Sequence, residues 1–333
     1  MSPLRQIPIT ILAGSDHSPG DLPESGAGLH SLAVYKGAEV EVGGRHLIEL
    51  LVEQIMACGG FGPITVAGPA AVYAALDLGD VRWVDTNGSV ATNLHAAIDD
   101  HQGRHDPGVP MAMIAYDVIV SAVELDQLRQ LYETDQPCAL WLPAVRMPEN
   151  KTALGPFAWK PYYTLLRDEQ DDEKDTAMAG ETVQLLPGHL AIFHPQSLRL
   201  PLLYKLLDLA YRTRNHSVAL RRRVMVRSIL GTLLLQDLRL LFSLHLPRIT
   251  FAVISNGLRL ARGLRRGSLS IAGLEHAVGG MFLRHARGTW SGPGNGIRIP
   301  PVDILSLAED IDTEEEAEQY VPEPEPEPGE PSG

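Results

Sequence analysis

Two short stretches carry residue types suited to phosphate chemistry. The first is Pro8 to Gly14, an apolar strand signal that stops on glycine and opens into a polar loop, Ser15 to Gly28, rich in Gly, Pro, Ser and Asp. A strand ending this way ahead of a helix presents backbone N–H groups to an anion, so Gly14 and its loop form a candidate cradle. The alternative is an ordinary glycine-rich turn. The second stretch is the apolar run Met111 to Tyr116, which ends on Asp117. A carboxylate directly after a buried strand is costly unless it faces a crevice, pairs with a cation or binds a metal; its other use is to cap the next segment.

The elements that must position these residues alternate regularly. Strand signals at 8–13, 63–68, 81–84, 111–116 and 139–145 are separated by helix signals at 46–58, 70–76, 90–100 and 123–133. Short, uniformly apolar strands in this alternation predict an α/β fold, a mainly parallel sheet with helices on both faces. Ligands of such sheets sit at the carboxyl ends of strands, so Gly14 and Asp117 are expected to share one crevice. Further strands are predicted at 162–167, 182–186 and 189–193, the last two around Pro187-Gly188. A charged loop is expected at 168–175, a helical zone from Leu200 to Ala261, a further helix within 264–284 and a short helix over 304–311. The domain plan is a core over 1–204, a helical insertion over 205–267, completion of the core over 268–312 and a disordered Pro/Glu tail over 313–333.

Composition narrows the function. Most of the formal net charge of −13 lies between Glu309 and Glu330, a stretch without Lys or Arg. The near-neutral remainder lacks the basic footprint of a general nucleic-acid binder. Two cysteines, Cys58 and Cys138, suggest neither a disulfide framework nor a zinc site, which favours a reducing cytoplasm. No secretory signal is legible, and the apolar region 224–254 is too often interrupted to span a membrane. No Gly-Lys-Ser/Thr closes a P-loop after Gly14, and no Gly-x-Ser-x-Gly elbow marks a hydrolase. Arg212, Arg214, Arg221, Arg222, Arg223 and Arg227 form a basic cluster suited to a solvated helical face, an acidic surface, a membrane headgroup layer or the chain's own acidic tail.

The order of elements and several motifs resemble the MobA-like nucleotidyltransferases of the GT-A-type fold. Leu12-Ala13-Gly14 stands at the family's signature loop, Lys36 at its lysine, and Gly43-Gly44-Arg45-His46-Leu47-Ile48-Glu49 at its Gly-Gly helix start. Tyr116-Asp117 resembles the strand that ends in a metal-binding Asp, and Gly88-Ser89 with Asn93 a substrate loop. Gly188-His189-Leu190 stands where many members have Gly-Asn-Leu, with His189 in place of the Asn, and Pro301-Val302-Asp303 lies near the closing Asp-rich segment. The resemblance implies transfer of a nucleotidyl group from an NTP to a small phosphorylated or cofactor-type acceptor, with Mg²⁺ held by Asp117 and Asp303. It further implies Lys36 as the phosphate-neutralising cation, assisted by Arg45, and Leu12, Ala13, Gly14, Ser15, Ser89 and Asn93 as nucleotide-binding residues. His189 would face the acceptor. Gly14 is followed by Ser15 where the family has a second glycine, and no arginine lies between Leu12 and Lys36. Two other readings therefore stand beside the first: a catalytically impaired member that binds a nucleotide or a partner, and a glycosyltransferase that uses a nucleotide-sugar.

Overall fold

The computed structural model describes residues 6–14, 32, 35–150, 154–155, 157–158, 160, 162–166, 182–213, 248–284 and 296–319, without the side chains of 210–213, 248–250 and 319. In chain order the elements are β1 Ile7–Leu12, α1 Lys36–Glu39, β2 Glu41–Val42, β3 Arg45–His46, α2 Leu47–Cys58, β4 Phe61–Gly68, α3 Ala70–Tyr73 and β5 Arg82–Asp85. They continue with α4 Val90–Arg104, β6 Met111–Ala115, α5 Ala122–Thr134, β7 Leu140–Trp141, β8 Ala144–Arg146, β9 Tyr163–Leu166, β10 Thr182–Pro187 and β11 Leu190–Phe193. The last are α6 Leu200–Thr213, α7 Arg248–Arg266, α8 Ile271–Phe282, β12 Ile297–Arg298, β13 Pro301–Val302 and α9 Glu314–Gln319.

Seven strands form the central sheet in the order β12-β7-β11-β6-β1-β4-β5, and only β11 runs against the rest. The expected mainly parallel α/β architecture is therefore present. The chain builds β1, β4 and β5 outward in one direction, then returns to lay β6 on the other side of β1. The order reverses between β1 and β6, and crevices that take ligands form at such reversals.

Local sequence explains the helices that frame this point. Leu47, Ile48, Leu50, Leu51, Val52 and Ile55 turn one face of α2 into the core, and Gly59, in the left-handed region at φ 66°, ends the helix. Burial of each large side chain contributes about 1.5–3 kcal/mol. Ser121 and Glu124 cap α5 reciprocally, and α5 packs on α2. On the opposite face α4 lies against β1, β4 and β5, with α6 packed on α4. The Gly43-Gly44 pair has φ of 62° and 78°, the signature of a type I′ turn, and so closes the β2–β3 hairpin that feeds α2.

A second sheet, β13-β8-β10-β9, extends the first. The run expected as one strand over 139–145 breaks at Pro143 into β7 and β8, which belong to different sheets. The strands on either side of Pro187-Gly188 likewise separate, β10 to the small sheet and β11 to the large. The chain crosses between sheets a third time at Ile299–Pro300. Gly188 permits the crossing, since a Cβ there would lie 2.3 Å from the Pro143 carbonyl oxygen.

The C-terminal segment differs from expectation. In place of a helix over 304–311 there is a short 3-10 turn, Leu305–Ala308, followed by extended chain that bridges Asp310 to Val118. Thr313 does not open a tail without a core: its Oγ1 accepts from the Glu316 N–H at 3.2 Å, and the Glu316 carboxylate accepts from the Thr313 N–H at 3.0 Å. This capping box starts α9 and buries both residues fully. The boundary expected at 204/205 falls inside α6. The loop at 168–175, Arg214, Arg221, Arg222, Arg223, Arg227 and the side chain of Arg212 lie outside the described residues, as does the rest of the tail from Tyr320.

Candidate functional site

The extended pairing of β1 with β6 ends at Leu12 opposite Ala115. Two residues further on each strand stand Gly14 and Asp117, at the reversal of strand order. Lys36 reaches Asp117 from α1. That helix approaches closely because Gly37 has no side chain: a Cβ there would lie 2.9 Å from the Tyr116 ring and 3.2 Å from the Tyr73 hydroxyl. The Tyr73 hydroxyl in turn donates to the Ala13 carbonyl at 3.1 Å, tying the end of β1 to the same corner.

Asp310 and Asp312 enter from the far end of the chain. The Ile311 N–H donates to the Asp117 carbonyl at 3.0 Å, which holds the segment as a short strand against the end of β6. Side chains alternate along such a segment, so Asp310 and Asp312 share one side while Ile311 packs with Val40, Val42, Leu47 and Leu50 on the other. Carboxylate oxygens of Asp117, Asp310 and Asp312 come within 4.8 Å of one another.

Three bases balance them. The Lys36 ammonium donates to Asp117 at 2.6 Å, to the Ile311 carbonyl at 2.7 Å and to Asp312 at 2.9 Å. Lys160 donates to both the carbonyl and the carboxylate of Asp310 and reaches Asp312 at 3.4 Å. His189 Nε2 lies 3.2 Å from Asp310. Burial pulls the Lys36 ammonium towards neutrality, but Asp117 and Asp312 outweigh it and hold its pKa well above the usual lysine value. Lys160 is raised against burial in the same way by Asp310 and Asp312. Burial also opposes the charge on Asp310, yet His189 and Lys160 keep its pKa well below the ordinary carboxylate value. Asp312 is raised by burial and by the Asp310 charge beside it, despite both lysines.

Oxygen-only donors this close together fit a hard divalent cation such as Mg²⁺. The two ammonium groups offset part of the carboxylate charge, and each carboxylate has a second oxygen and further lone pairs with which to bind an ion while it accepts from a lysine.

Of the residues expected from sequence, Lys36 and Asp117 meet directly, with His189 in the same cluster. Gly14 and Asn93 also meet: a Cβ on Gly14 would stand 2.5 Å from Asn93 Nδ2. Asn93 is buried, and its Oδ1 accepts from the Thr86 hydroxyl at 3.1 Å. Ser89 caps α4 through the Thr92 N–H. Leu12 packs into the core, and the N–H and carbonyl of Ala13 are taken by Ala67 and Tyr73. Ser15 lies outside the described residues. Arg45 pairs with Glu53 on the surface. Asp303 requires correction as a metal ligand: its side chain is 74% exposed and pairs with Arg146 at 2.8 Å. Asp310 and Asp312, rather than Asp303, stand beside Asp117. The alternation Asp310-Ile311-Asp312 ahead of Thr313-x-x-Glu316 puts the two carboxylates on one side of an extended segment but does not encode where that segment docks. Lys160 carried no comparable signal.

Fold and site together define an α/β protein with a carboxylate–lysine cluster at the carboxyl edge of its main sheet. Among solved structures, a hypothetical transferase from Thermus thermophilus is 19% identical, with 94% of this chain and 100% of that chain covered at a TM-score of 0.52. That likeness establishes a shared fold. A CMP:2-keto-3-deoxy-manno-octonic acid synthetase complexed with CTP aligns at 12% identity over 72% and 86% of the two chains, TM-score 0.39. The 4-diphosphocytidyl-2C-methyl-D-erythritol synthase from Anaerococcus prevotii aligns at 12% over 66% and 82%, TM-score 0.33. These two align too loosely to carry a conclusion. No protein-family model and no curated protein matches the chain.

Proposed function

We propose that this chain is a nucleotidyltransferase of the MobA-like kind. It would move a nucleotidyl group from an NTP to a small phosphorylated or cofactor-type acceptor. The observation that supports this reading best is the meeting of Lys36 with Asp117, Asp310 and Asp312 beside Gly14, where the strand order reverses. In the reaction an acceptor oxygen bonds to the α-phosphorus, the α–β phosphoanhydride breaks, and its electron pair leaves with pyrophosphate. The site's task is electrostatic, because charge collects on the leaving group.

Asp117, Asp310 and Asp312 would hold Mg²⁺, which when bound neutralises charge on the leaving phosphates. Gly14 lets the Asn93 amide pack against the end of β1, where any side chain would collide with it, and that amide would lie at the edge of the bound nucleotide. Lys36 uses all three of its N–H donors on Asp117, Asp312 and Ile311, so its role is to orient the two carboxylates rather than to grip phosphate directly. Lys160 and His189 do the same for Asp310.

The expected outcome is Mg²⁺-dependent pyrophosphate release with a cognate NTP and acceptor, reduced at least about a hundredfold in Asp117→Asn and in Asp310→Asn while the circular dichroism spectrum is unchanged. Full activity in both variants would reject the assignment. The charge-balanced cluster also favours a second reading, a nucleotide-binding module without turnover, since its lysines already do part of an ion's work. Thermal stabilisation by an NTP without pyrophosphate release across a panel of acceptors would select it.

A further inference from the structure

Charge is distributed unevenly along this acidic chain. Residues 205–267 hold thirteen Lys and Arg against two Asp, Asp208 and Asp237. Helix α7, Arg248–Arg266, contains no carboxylate at all, and Arg259, Arg262, Arg265 and Arg266 stand exposed along it. The helix packs inward through Val253, which meets Leu202, Met281 and Phe282, and through Leu260. Its outer side is not simply polar. Phe251 is 75% exposed, Ile254 37% and Leu258 49%, and their spacing of three and four residues puts them in one stripe. Arg262 and Arg265 continue the same side of the helix.

We infer that this face of α7 docks on an anionic phospholipid surface. The partner must supply two things at once: a medium for a stripe of large apolar side chains and negative charge for a helix with only arginines. A headgroup layer over acyl chains offers both. The chain's own segment after Tyr320 offers Glu323, Glu325, Glu327 and Glu330 but few large apolar side chains to cover Phe251, and nucleic acid shares that lack. The contact would be peripheral, since no described helix is long and apolar enough to cross a membrane. The inference stands independently of the transferase reading.

The test is sedimentation of the full chain with vesicles of phosphatidylcholine alone and of phosphatidylcholine with about a third phosphatidylglycerol. The protein is expected to partition at least about tenfold more onto the anionic vesicles, and less in high salt. Arg262→Gln and Arg265→Gln should each weaken binding roughly fivefold. Phe251→Glu with Leu258→Glu should abolish it with an unchanged thermal midpoint, since both positions are exposed. Failure to partition at low salt, equal partition onto neutral vesicles, or retention by the double glutamate variant would overturn the inference. So would a wild-type dimer that the double variant turns into a monomer without any vesicle binding, which would give the face to a second copy of the chain.

Discussion

Lys36 presents three donors to three acceptors, and two of those acceptors are charged. Such an arrangement is neutral to stability only while it is complete. Replacing the ammonium by the apolar end of a methionine strands Asp117, only 13% exposed, beside Asp312 and Asp310. Breaking a buried pair from one side costs about 3–5 kcal/mol. Lys36→Met is expected to lower the urea unfolding free energy by about that much at neutral pH. Asp303→Asn serves as the comparison. It removes one exposed partner of Arg146 and should change stability by less than about 1 kcal/mol, with no effect on turnover. Equal effects of the two substitutions would show that the cluster is as well solvated as the surface pair.

Single elements carry their own consequences. His101 lies on the buried side of α4, with its Nε2 3.3 Å from the Val109 carbonyl and the His105 ring tilted against it with centroids 4.6 Å apart. Burial is the main cause that lowers its pKa from 6.5 to about 4, with His105 and Arg104 adding to it and Val109 opposing. The folded value is depressed, so the unfolded chain takes up the proton first as the solution is acidified. Stability associated with this residue is therefore complete above pH 6.5 and is lost as pH falls towards 4, by up to roughly 3 kcal/mol. His101→Leu should differ from wild type mainly in that window, with a flatter curve of unfolding free energy against pH. Gly68→Ala makes a separate case at the end of β4. The added Cβ would lie 2.3 Å from the Ala13 carbonyl oxygen, so β1 and β4 must part next to Gly14. A drop in thermal midpoint together with weaker NTP binding is expected.

The legibility of these elements from sequence follows their physics. Periodic signals gave the bounds of β1, β4, β6, α2 and α5 closely, because each buries a face of its own. Asp117 is legible because it ends an apolar strand, and Lys36 through its place in the resemblance, just ahead of the Gly43-Gly44 turn. The carboxylates beside them were not found in advance. Asp310 and Asp312 acquire their place by pairing with Val118 and Asp117, a contact between distant segments that local periodicity does not encode. The break at Pro143 was hidden for the same reason: an apolar run reads alike whether it serves one sheet or two.

At the scale of the whole molecule, α9 closes the structure around the site. Thr313 and Glu316 are fully buried, and the Glu316 carboxylate also accepts from the Asp312 N–H at 2.7 Å. A chain ended after Asp312 loses that support and is expected to unfold at lower temperature and to bind Mg²⁺ more weakly. A chain ended after Gln319 retains every contact described for α9 and should match the full chain in both measurements. If the two truncations behave alike, α9 has no part in holding Asp312.

The bond from Lys36 to the Ile311 carbonyl spans 275 positions of chain. At about 5–20 residues per second, a ribosome needs roughly 15–55 s to deliver the second partner after the first. Once Asp117 has followed Lys36 by 81 positions, the nascent protein carries a lysine and an aspartate at the lip of a half-built sheet, with the other two carboxylates still unmade. The cluster is thus completed last, once translation has passed the segment that brings Asp310 and Asp312 to it.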